Sequence, residues 1–254
     1  MKILAFFNNK GGVGKTTAAI NVACTFAKQG HSVLFMDCDG QQNASRFLCD
    51  ELPDADHGLE KLLLTAPAIL PSILKVQSRY ENLDVIAATA AINDAAEKYA
   101  VQSKELKKEQ LDMIRDWEKP WNSKKYDYVI MDLPPALNCV TEALLTVTDG
   151  VLVPLELGSF ALQGLANVTA AINRCDANFL GCFVSKYDSK NATKVQMLDM
   201  LRTELGAKML NTIIPQSKII DNSISYRQTA AEYMGWLPAA RSFEKLTAEI
   251  KSKL

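Results

Sequence analysis

The stretch NNKGGVGKTT, Asn8–Thr17, decides the fold of this chain, because it joins a predicted strand to a predicted helix through a glycine-rich turn. The apolar run KILAFF, residues 2–7, precedes it, and a helical pattern over residues 15–29 follows it. Glycines let backbone N–H groups close around phosphate oxygens where side chains would obstruct them. Strand, glycine turn and helix together predict a phosphate-binding loop.

The side chains of the loop predict how a nucleotide is held. Lys15 would contact the β- and γ-phosphates, and the Thr16 hydroxyl would bind Mg²⁺. The helix that starts at Thr16 and Thr17 favours anions at its N-terminus. The strict pattern G-x-x-x-x-G-K-[ST] fails at its first position, where Asn9 stands, and an additional lysine, Lys10, lies just ahead of the glycines. The alternative is a glycine-rich turn with an accidental lysine. The predicted loop residues are Gly11, Gly12, Val13, Gly14, Lys15, Thr16 and Thr17.

Short apolar runs alternate with helical patterns along the chain, which predicts a doubly wound, mostly parallel sheet with helices on both faces. Most runs are continuous, as is typical of strands buried on both sides. The charged stretch 94–125 is predicted to be a surface helix that ends near Pro120. We expect a single domain over residues 1–254. The predicted strands are 2–7, 32–37, 83–88, 126–132, 150–156, 178–185 and 210–215, and the predicted helices are 15–29, 91–118, 140–148, 161–174 and 193–205.

Acidic side chains follow two of the predicted strands. Asp132 ends the run YDYVIMD, and Asp37 and Asp39 lie in MDCDGQQN after the second strand. The carboxyl ends of parallel strands meet at one edge of the sheet, where ligands bind. Asp132 is therefore predicted to orient Mg²⁺, and Asp39 to polarise a water molecule or hold Mg²⁺ through water. Taken alone, the second cluster also fits an ordinary turn, since turns favour Asp, Gly and Asn.

Composition restricts the possible functions. The 254 residues carry a net charge of −1, so there is no global basic field to hold nucleic acid or an anionic membrane. Six cysteines without a C-x-x-C pair and only two histidines argue against a zinc site and fit reduced thiols of a cytosolic protein. We expect no signal peptide, and no apolar run is long enough for a spanning helix.

These motifs resemble the ParA/MinD family, whose deviant Walker A motif has a lysine ahead of its glycines, as KGGVGKTT has here. More specifically, the chain is similar to the Soj-like ParA partition ATPases, and the similarity extends over nearly the whole sequence. It implies a P-loop NTPase fold, ATP and Mg²⁺ as ligands and ATP hydrolysis as the activity. The further matching segments are VLFMDCDGQQNAS (33–45), the Walker B region 126–165, FVSKYDSKN (183–191) and NTIIPQSKIIDNS (211–223).

The resemblance assigns roles to individual residues. It implies that Lys10 crosses an ATP-dependent dimer interface and touches the partner's phosphates, as an arginine finger does; the alternative is a solvated lysine beside the ligand. It implies that Asp39 orients the attacking water and that Pro215 lines the adenine pocket. Two departures stand out: Gly40 replaces a usual proline and Gln42 a usual glycine, which predicts a more mobile loop around Asp39.

The resemblance also implies partners. ParA proteins bind DNA without sequence preference as ATP dimers, and a ParB-like protein activates them, in the cytoplasm and on the nucleoid. We expect the short form, without an N-terminal DNA-reading extension. An ordinary solvated surface is the alternative for the basic residues. The candidate DNA-binding residues are Lys186, Lys218 and Arg227, with Lys190, Lys194, Arg202 and Lys208 nearby.

Three rival functions remain open. A MinD-like membrane role would use the C-terminal stripe of Phe243, Leu246, Ile250 and Leu254. A last helix packed on the sheet is favoured, and no stable membrane association is expected. An iron–sulfur ATPase would use Cys139, which fits a small core residue better. A non-hydrolysing, ATP-gated scaffold would follow from Gly40.

Overall fold

The computed structural model describes residues 1–54, 56–64, 74–115 and 126–254. A seven-stranded sheet runs through these residues in the order β3-β4-β2-β5-β1-β6-β7, and every pairing is parallel except that of β3 with β4. The predicted doubly wound, mostly parallel sheet is therefore confirmed. The strands are β1 (Lys2–Phe6), β2 (Val33–Asp37), β3 (Val76–Gln77), β4 (Leu83–Ala87), β5 (Tyr128–Asp132), β6 (Gly150–Glu156) and β7 (Phe179–Ser185).

Helices cover both faces of the sheet, and their apolar side chains form a core on each side. Alternate residues of β1 enter different cores, with Leu4 and Phe6 on one side and Ile3 and Ala5 on the other. The helices are α1 (Lys15–Lys28), α2 (Asn43–Leu48), α3 (Leu59–Leu64), α4 (Ile92–Ala100), α5 (Lys104–Arg115), α6 (Cys139–Thr146), α7 (Ala161–Arg174), α8 (Ala192–Leu205), α9 (Lys218–Ser225), α10 (Ala230–Met234) and α11 (Pro238–Ser252).

The C-terminal helix packs against α1. Phe243, Leu246 and Ile250 are buried in the same core as the apolar side of α1, so the last helix packs within the fold as predicted, but its main partner is α1 and not the sheet. Burying three large apolar side chains stabilises the fold by roughly 1.5–3 kcal/mol each. Among the residues that the structure describes, no helix combines the length and the apolar character that a membrane span requires.

The single long helix predicted over 91–118 is wrong in its described part, because the chain forms two helices there, α4 and α5. Val101 ends α4, and the Ser103 hydroxyl accepts a hydrogen bond from the Leu106 N–H at 3.2 Å, as an N-cap residue does. Serine side chains compete for backbone groups and so favour helix starts over helix interiors. Pro120, where the helix was expected to end, lies outside the described residues.

The predicted strand 210–215 is also wrong. The segment runs beside β7, where the Leu210 and Ile214 amides donate to the Cys182 and Val184 carbonyls, each at 2.8 Å. It nevertheless forms only isolated bridges, between Met209 and Cys182 and between Pro215 and Tyr187, a residue that follows β7. The next two amides leave β7, because the Glu249 carboxylate accepts hydrogen bonds from the Asn211 N–H at 2.6 Å and the Thr212 N–H at 2.8 Å. Pro215 has no N–H to donate, so the segment cannot continue as a regular strand.

Candidate active site

The glycine loop has the backbone that the motif predicts. Gly12 has φ +73° and Gly14 has φ +87°, and Gly14 is the N-cap of α1. This left-handed conformation strains residues with a Cβ, which explains glycine at both positions. The Val13 carbonyl accepts a hydrogen bond from the Ser185 hydroxyl at 2.7 Å. The loop is thereby attached to the end of β7 across the carboxyl edge of the sheet.

Asn8 fixes the start of the loop. It is 3% exposed, its side-chain amide donates to the Pro154 carbonyl at 2.8 Å, and its Oδ1 accepts from the Lys10 N–H at 2.9 Å. The backbone of Lys10 is therefore tied to β6, while its side chain is 63% exposed. The Lys10 ammonium lies 3.6 Å from the carboxylate of Glu156, the last residue of β6.

The Lys15 side chain lies inside the glycine loop, whereas that of Lys10 extends into solvent. The Lys15 side chain is buried, and its ammonium donates to the Lys10 carbonyl at 3.2 Å. Burial lowers the pKa of Lys15, while the negative charges of Asp132 and Asp39 act in the opposite direction. The ammonium is thus held between the glycine loop and the acidic strand ends, where it can meet phosphate oxygens.

Asp132 and Thr16 form the candidate Mg²⁺ site. The register of the sheet places Asp132 directly beside Asp37 of β2. Burial, and then the charge of Asp37, raise the pKa of Asp132 to about 8, against a hydrogen bond from the Thr16 side chain that lowers it. The Asp132 Oδ1 atom is buried without a hydrogen-bond partner among the described residues. An orphaned carboxylate oxygen beside a threonine hydroxyl fits a hard cation such as Mg²⁺.

This buried carboxylate predicts a pH-dependent stability. Because the pKa of Asp132 is raised, the folded chain keeps a proton that the unfolded chain releases, so stability falls as pH rises from about 4 towards 8. Asp132→Asn removes this cost and is expected to stabilise the protein without Mg²⁺ and nucleotide at pH 8 by up to about 5 kcal/mol, or roughly 10 °C in melting temperature. The advantage should shrink at pH 5 in thermal scans, and an unchanged or lower melting temperature at pH 8 would contradict this account.

Asp37 has a structural role, because its carboxylate holds the backbone next to the site. It is fully buried, and its Oδ2 accepts hydrogen bonds from the Ser45 N–H at 2.8 Å and the Ser45 hydroxyl at 2.7 Å. Burial raises the pKa of Asp37 to about 6, against the hydrogen bonds from Ser45. These contacts attach the first turn of α2 to the end of β2 and so position the loop between them.

Asp39 lies in that loop, half-buried, and accepts a hydrogen bond from the Gln41 N–H at 3.0 Å. A Cβ on Gly40 would come 3.0 Å from Ile92 Cγ2 and 3.1 Å from the Thr89 carbonyl oxygen. This close packing against the β4–α4 connection limits the mobility that the missing proline predicts. Gln42 adopts a left-handed φ of 56°, a conformation in which glycine is less strained.

A cavity of about 110 Å³ lies beside the glycine loop. Pro215 lines it, at the position that the sequence predicts for an adenine pocket. The partly exposed ring of Pro215 and the edge of Ile220 offer apolar surface against which a base can pack. The cavity is lined by Gly14, Thr17, Ala18, Phe183, Ser185, Lys186, Ile214, Pro215, Gln216, Ser217, Ile220, Asp221 and Phe243.

The candidate DNA-binding residues have different surroundings. Lys186 is exposed at the rim of this cavity, and Lys218 is exposed in the first turn of α9. Arg227 is engaged within the fold: its guanidinium donates to the Cys49 carbonyl and lies 3.3 Å from the Asp50 carboxylate. Lys186 and Lys218 therefore offer cations to a partner more readily than Arg227 does.

Cys139, the candidate cluster ligand, is the first residue of α6. Its thiol is partly buried and donates to the Ala96 carbonyl at 2.9 Å. The thiol thus has a partner inside the fold, as the expected core residue would.

Asn21 is a site residue that sequence reasoning missed. Its buried side chain donates to the Thr17 carbonyl at 2.8 Å and accepts from the Ala230 N–H at 2.9 Å, so it links the first turn of α1 to α10. An asparagine between Ile20 and Val22 is the only signal that the sequence offers. Ser45, Ser185 and Glu156 were also missed, because their partners lie far away in sequence or on other strands.

Comparisons with known proteins agree with this geometry. A family model described as an AAA domain matches residues 1–180. The chromosome-partitioning ATPase Soj of Treponema pallidum is 31% identical over 261 residues, which cover 99% of this chain and 98% of that protein. Soj of Thermus thermophilus is 29% identical over 257 residues, which cover 99% of this chain and 96% of that protein.

A solved structure shows the same fold at low sequence identity. An aspartate-to-alanine variant of McdA from Cyanothece, in complex with ATP, aligns with a TM-score of 0.82 and 21% identity over 99% of this chain and 96% of that one. The full-length identity to Soj, the matching family model and the glycine loop with its two lysines lead to one conclusion: the chain belongs to the ParA/MinD family of P-loop ATPases.

Proposed function

We propose that this chain is an ATP-dependent switch that binds and slowly hydrolyses ATP with Mg²⁺, dimerises on ATP and binds DNA without sequence preference. It would partition or position plasmid or chromosomal DNA, in the cytoplasm and on the nucleoid, with a ParB-like protein as its activator. Residues 1–254 would act as one P-loop ATPase domain. The relatives named as chromosome-partitioning ATPases support this proposal.

The observation that carries the proposal is the unequal placement of the two loop lysines. The Lys15 ammonium is enclosed and faces the loop, while Lys10 has a fixed backbone and a largely exposed side chain. An exposed cation anchored at a phosphate site can reach a phosphate on a neighbouring molecule, while an enclosed one serves its own site. Two such sites related by a two-fold axis would exchange their Lys10 side chains.

Other groups of the site would bind the phosphates, the base, Mg²⁺ and the attacking water. Backbone N–H groups of the glycine loop and Lys15 would hold the phosphates, and the base would enter the cavity beside Pro215. Thr16 and Asp132 would hold Mg²⁺, with Asp39 acting through water, and the cation would neutralise charge on the β- and γ-phosphates. Asp39 would also orient the water that attacks the γ-phosphate.

The position of α9 supports a link between nucleotide and DNA. Ser217, Ile220 and Asp221 line the base cavity, and Lys218 is exposed on the same helical turn. A bound base would therefore restrain the turn that presents this cation. Dimerisation would double the number of cations on one surface, which strengthens binding to a polyanion.

Sedimentation velocity with ATP, with ADP and without nucleotide tests the proposal, each with and without random-sequence DNA. The chain should be a dimer only with ATP and should bind DNA only in that state. A monomer under all conditions, or tight DNA binding without nucleotide, would refute the switch.

Lys218→Ala is expected to weaken DNA binding equally on any sequence. The slope of log K for DNA binding against log salt concentration should become less steep by roughly 0.9 for each phosphate contact that the variant loses. Lys186→Ala should behave alike, and Arg227→Ala should have a smaller effect because that guanidinium is already paired. Lys28→Ala, which removes an exposed cation at the far end of α1, is the matched control. Binding by anisotropy at several salt concentrations measures the slopes; equal losses in control and test variants would remove the assignment.

A further inference from the structure

The ion pair between Lys10 and Glu156 joins two anchored points of the fold. Lys10 is held through its N–H by Asn8, which is itself bound to the Pro154 carbonyl of β6. Glu156 ends β6 and pairs there with Ser185 of β7. The backbones on both sides are therefore fixed, so only side-chain torsions can bring the ammonium to the carboxylate or take it away.

The Lys10 ammonium can exchange its ion pair with Glu156 for another partner, because the pair is accessible to solvent. Its side chain is 63% exposed and that of Glu156 is 31% exposed, so the pair faces solvent and can open. The other acidic groups of the site, Asp132 and Asp39, act on the charge of Lys15. Within the described residues, the carboxylate found within ion-pair distance of the Lys10 ammonium is that of Glu156.

We propose that Glu156 is a positioning residue that holds Lys10 in its own subunit and so raises the ATP concentration needed for dimerisation. This inference rests on the proposed ATP dimer, and it adds an ion pair that opposes dimer formation. Lys10 cannot bind the partner's phosphates and Glu156 at the same time, so every dimer formed breaks two ion pairs. A triphosphate carries more charge than a carboxylate, so the restraint shifts the threshold without preventing dimerisation.

Solvent exposure sets the size of the effect. Ion pairs of this kind contribute up to about a fivefold change in an equilibrium constant. Two pairs per dimer give a change of up to roughly 25-fold. The neutral and nearly isosteric Glu156→Gln is therefore expected to dimerise at lower ATP or protein concentration, while ATP binding by the monomer stays the same.

The first experiment compares wild type, Glu156→Gln, Lys10→Ala and the double variant by sedimentation velocity over a range of protein concentrations with ATP. The comparison in the Lys10→Ala background is made at protein concentrations raised about a hundredfold, where its weakened dimer can still form. There the gain from Glu156→Gln should vanish, because no ammonium is left to release. Glu142→Gln is the matched control, since it removes a carboxylate from a 3.7 Å ion pair with Arg174 on α7. An unchanged or weaker dimer in Glu156→Gln, or an equal gain without Lys10, would overturn the proposal.

The second experiment measures the restraint in the monomer, where it does not depend on dimerisation. Acylation of lysine amines, followed by peptide mass spectrometry, reports how freely each side chain meets the reagent. Lys10 should react about twofold faster or more in Glu156→Gln than in wild type, while Lys28 is unchanged. Equal rates at Lys10 would overturn the restraint, whereas faster labelling in a chain that never dimerises would support the restraint and refute the proposed function.

Discussion

Asp39→Ala should lower ATP turnover by roughly 10²–10⁴-fold, because a positioned carboxylate that handles the attacking water contributes about that much to a rate. ATP binding and ATP-dependent dimerisation should remain, since the glycine loop, Lys15 and Thr16 are untouched. Phosphate release under multiple-turnover conditions measures the rate, and sedimentation with ATP measures the dimer.

Two further variants make this result specific. Asp94→Ala removes an exposed carboxylate in the first turn of α4 and should leave turnover unchanged. Lys15→Ala should instead lose ATP binding, because it removes the cation on the β- and γ-phosphates. Undiminished phosphate release from Asp39→Ala would refute its assigned role, and a wild-type chain that binds ATP but releases no phosphate would point to a non-hydrolysing scaffold.

Lys10→Ala should abolish the ATP dimer while the monomer still binds ATP. A charge-assisted hydrogen bond is worth roughly 1.5–3 kcal/mol, and a symmetric dimer would lose two of them, which amounts to more than about a hundredfold in association. Hydrolysis and DNA binding should fail with the dimer. Light scattering and sedimentation with ATP measure the loss, and fluorescent-nucleotide titration confirms that the monomer still binds.

Lys10→Arg is the conservative partner of this variant. It keeps the positive charge on a side chain of similar reach and should restore part of the dimer. Circular dichroism and thermal melting check that both variants fold. If Lys10→Ala forms the ATP dimer as wild type does, Lys10 is a solvated side chain, and the main reason for a two-subunit switch is lost.

The fold and the centre of the site could be predicted because their signals are local in sequence. A strand, a glycine turn and a helix follow one another within residues 2–29, and continuous apolar runs mark strands buried on both faces. Since β5 lies in parallel between β2 and β1, the aspartates that end β2 and β5 lie beside the loop that follows β1. Pro215 was found through the family resemblance and not through a pattern of its own.

The missed features depend on interactions between distant residues. No residue near Asn211 in the sequence indicates that its amide donates to Glu249, so the apolar run alone predicts a strand. Arg227 reads as a surface cation until the fold brings the Cys49 carbonyl to it. Ser103 offers a local signal for a helix start, but it stands within a continuous charged pattern that predicts one long helix.

The hydrogen bond of Asn21 to α10, together with the packing of α11 on α1, has a consequence for dividing this chain. The matched family model stops at residue 180, yet a chain cut there would lack Ser185, which holds the loop at Val13, and Ala230, which satisfies Asn21. It would also lack Phe243, Leu246 and Ile250, and the outer side of α1 would face water. The helix that starts at Lys15 is thus packed against α10 and α11, which belong to the last quarter of the polypeptide. A fragment that ends at residue 180 would contain the whole phosphate-loop motif but would lack the contacts that hold the loop and α1 in place.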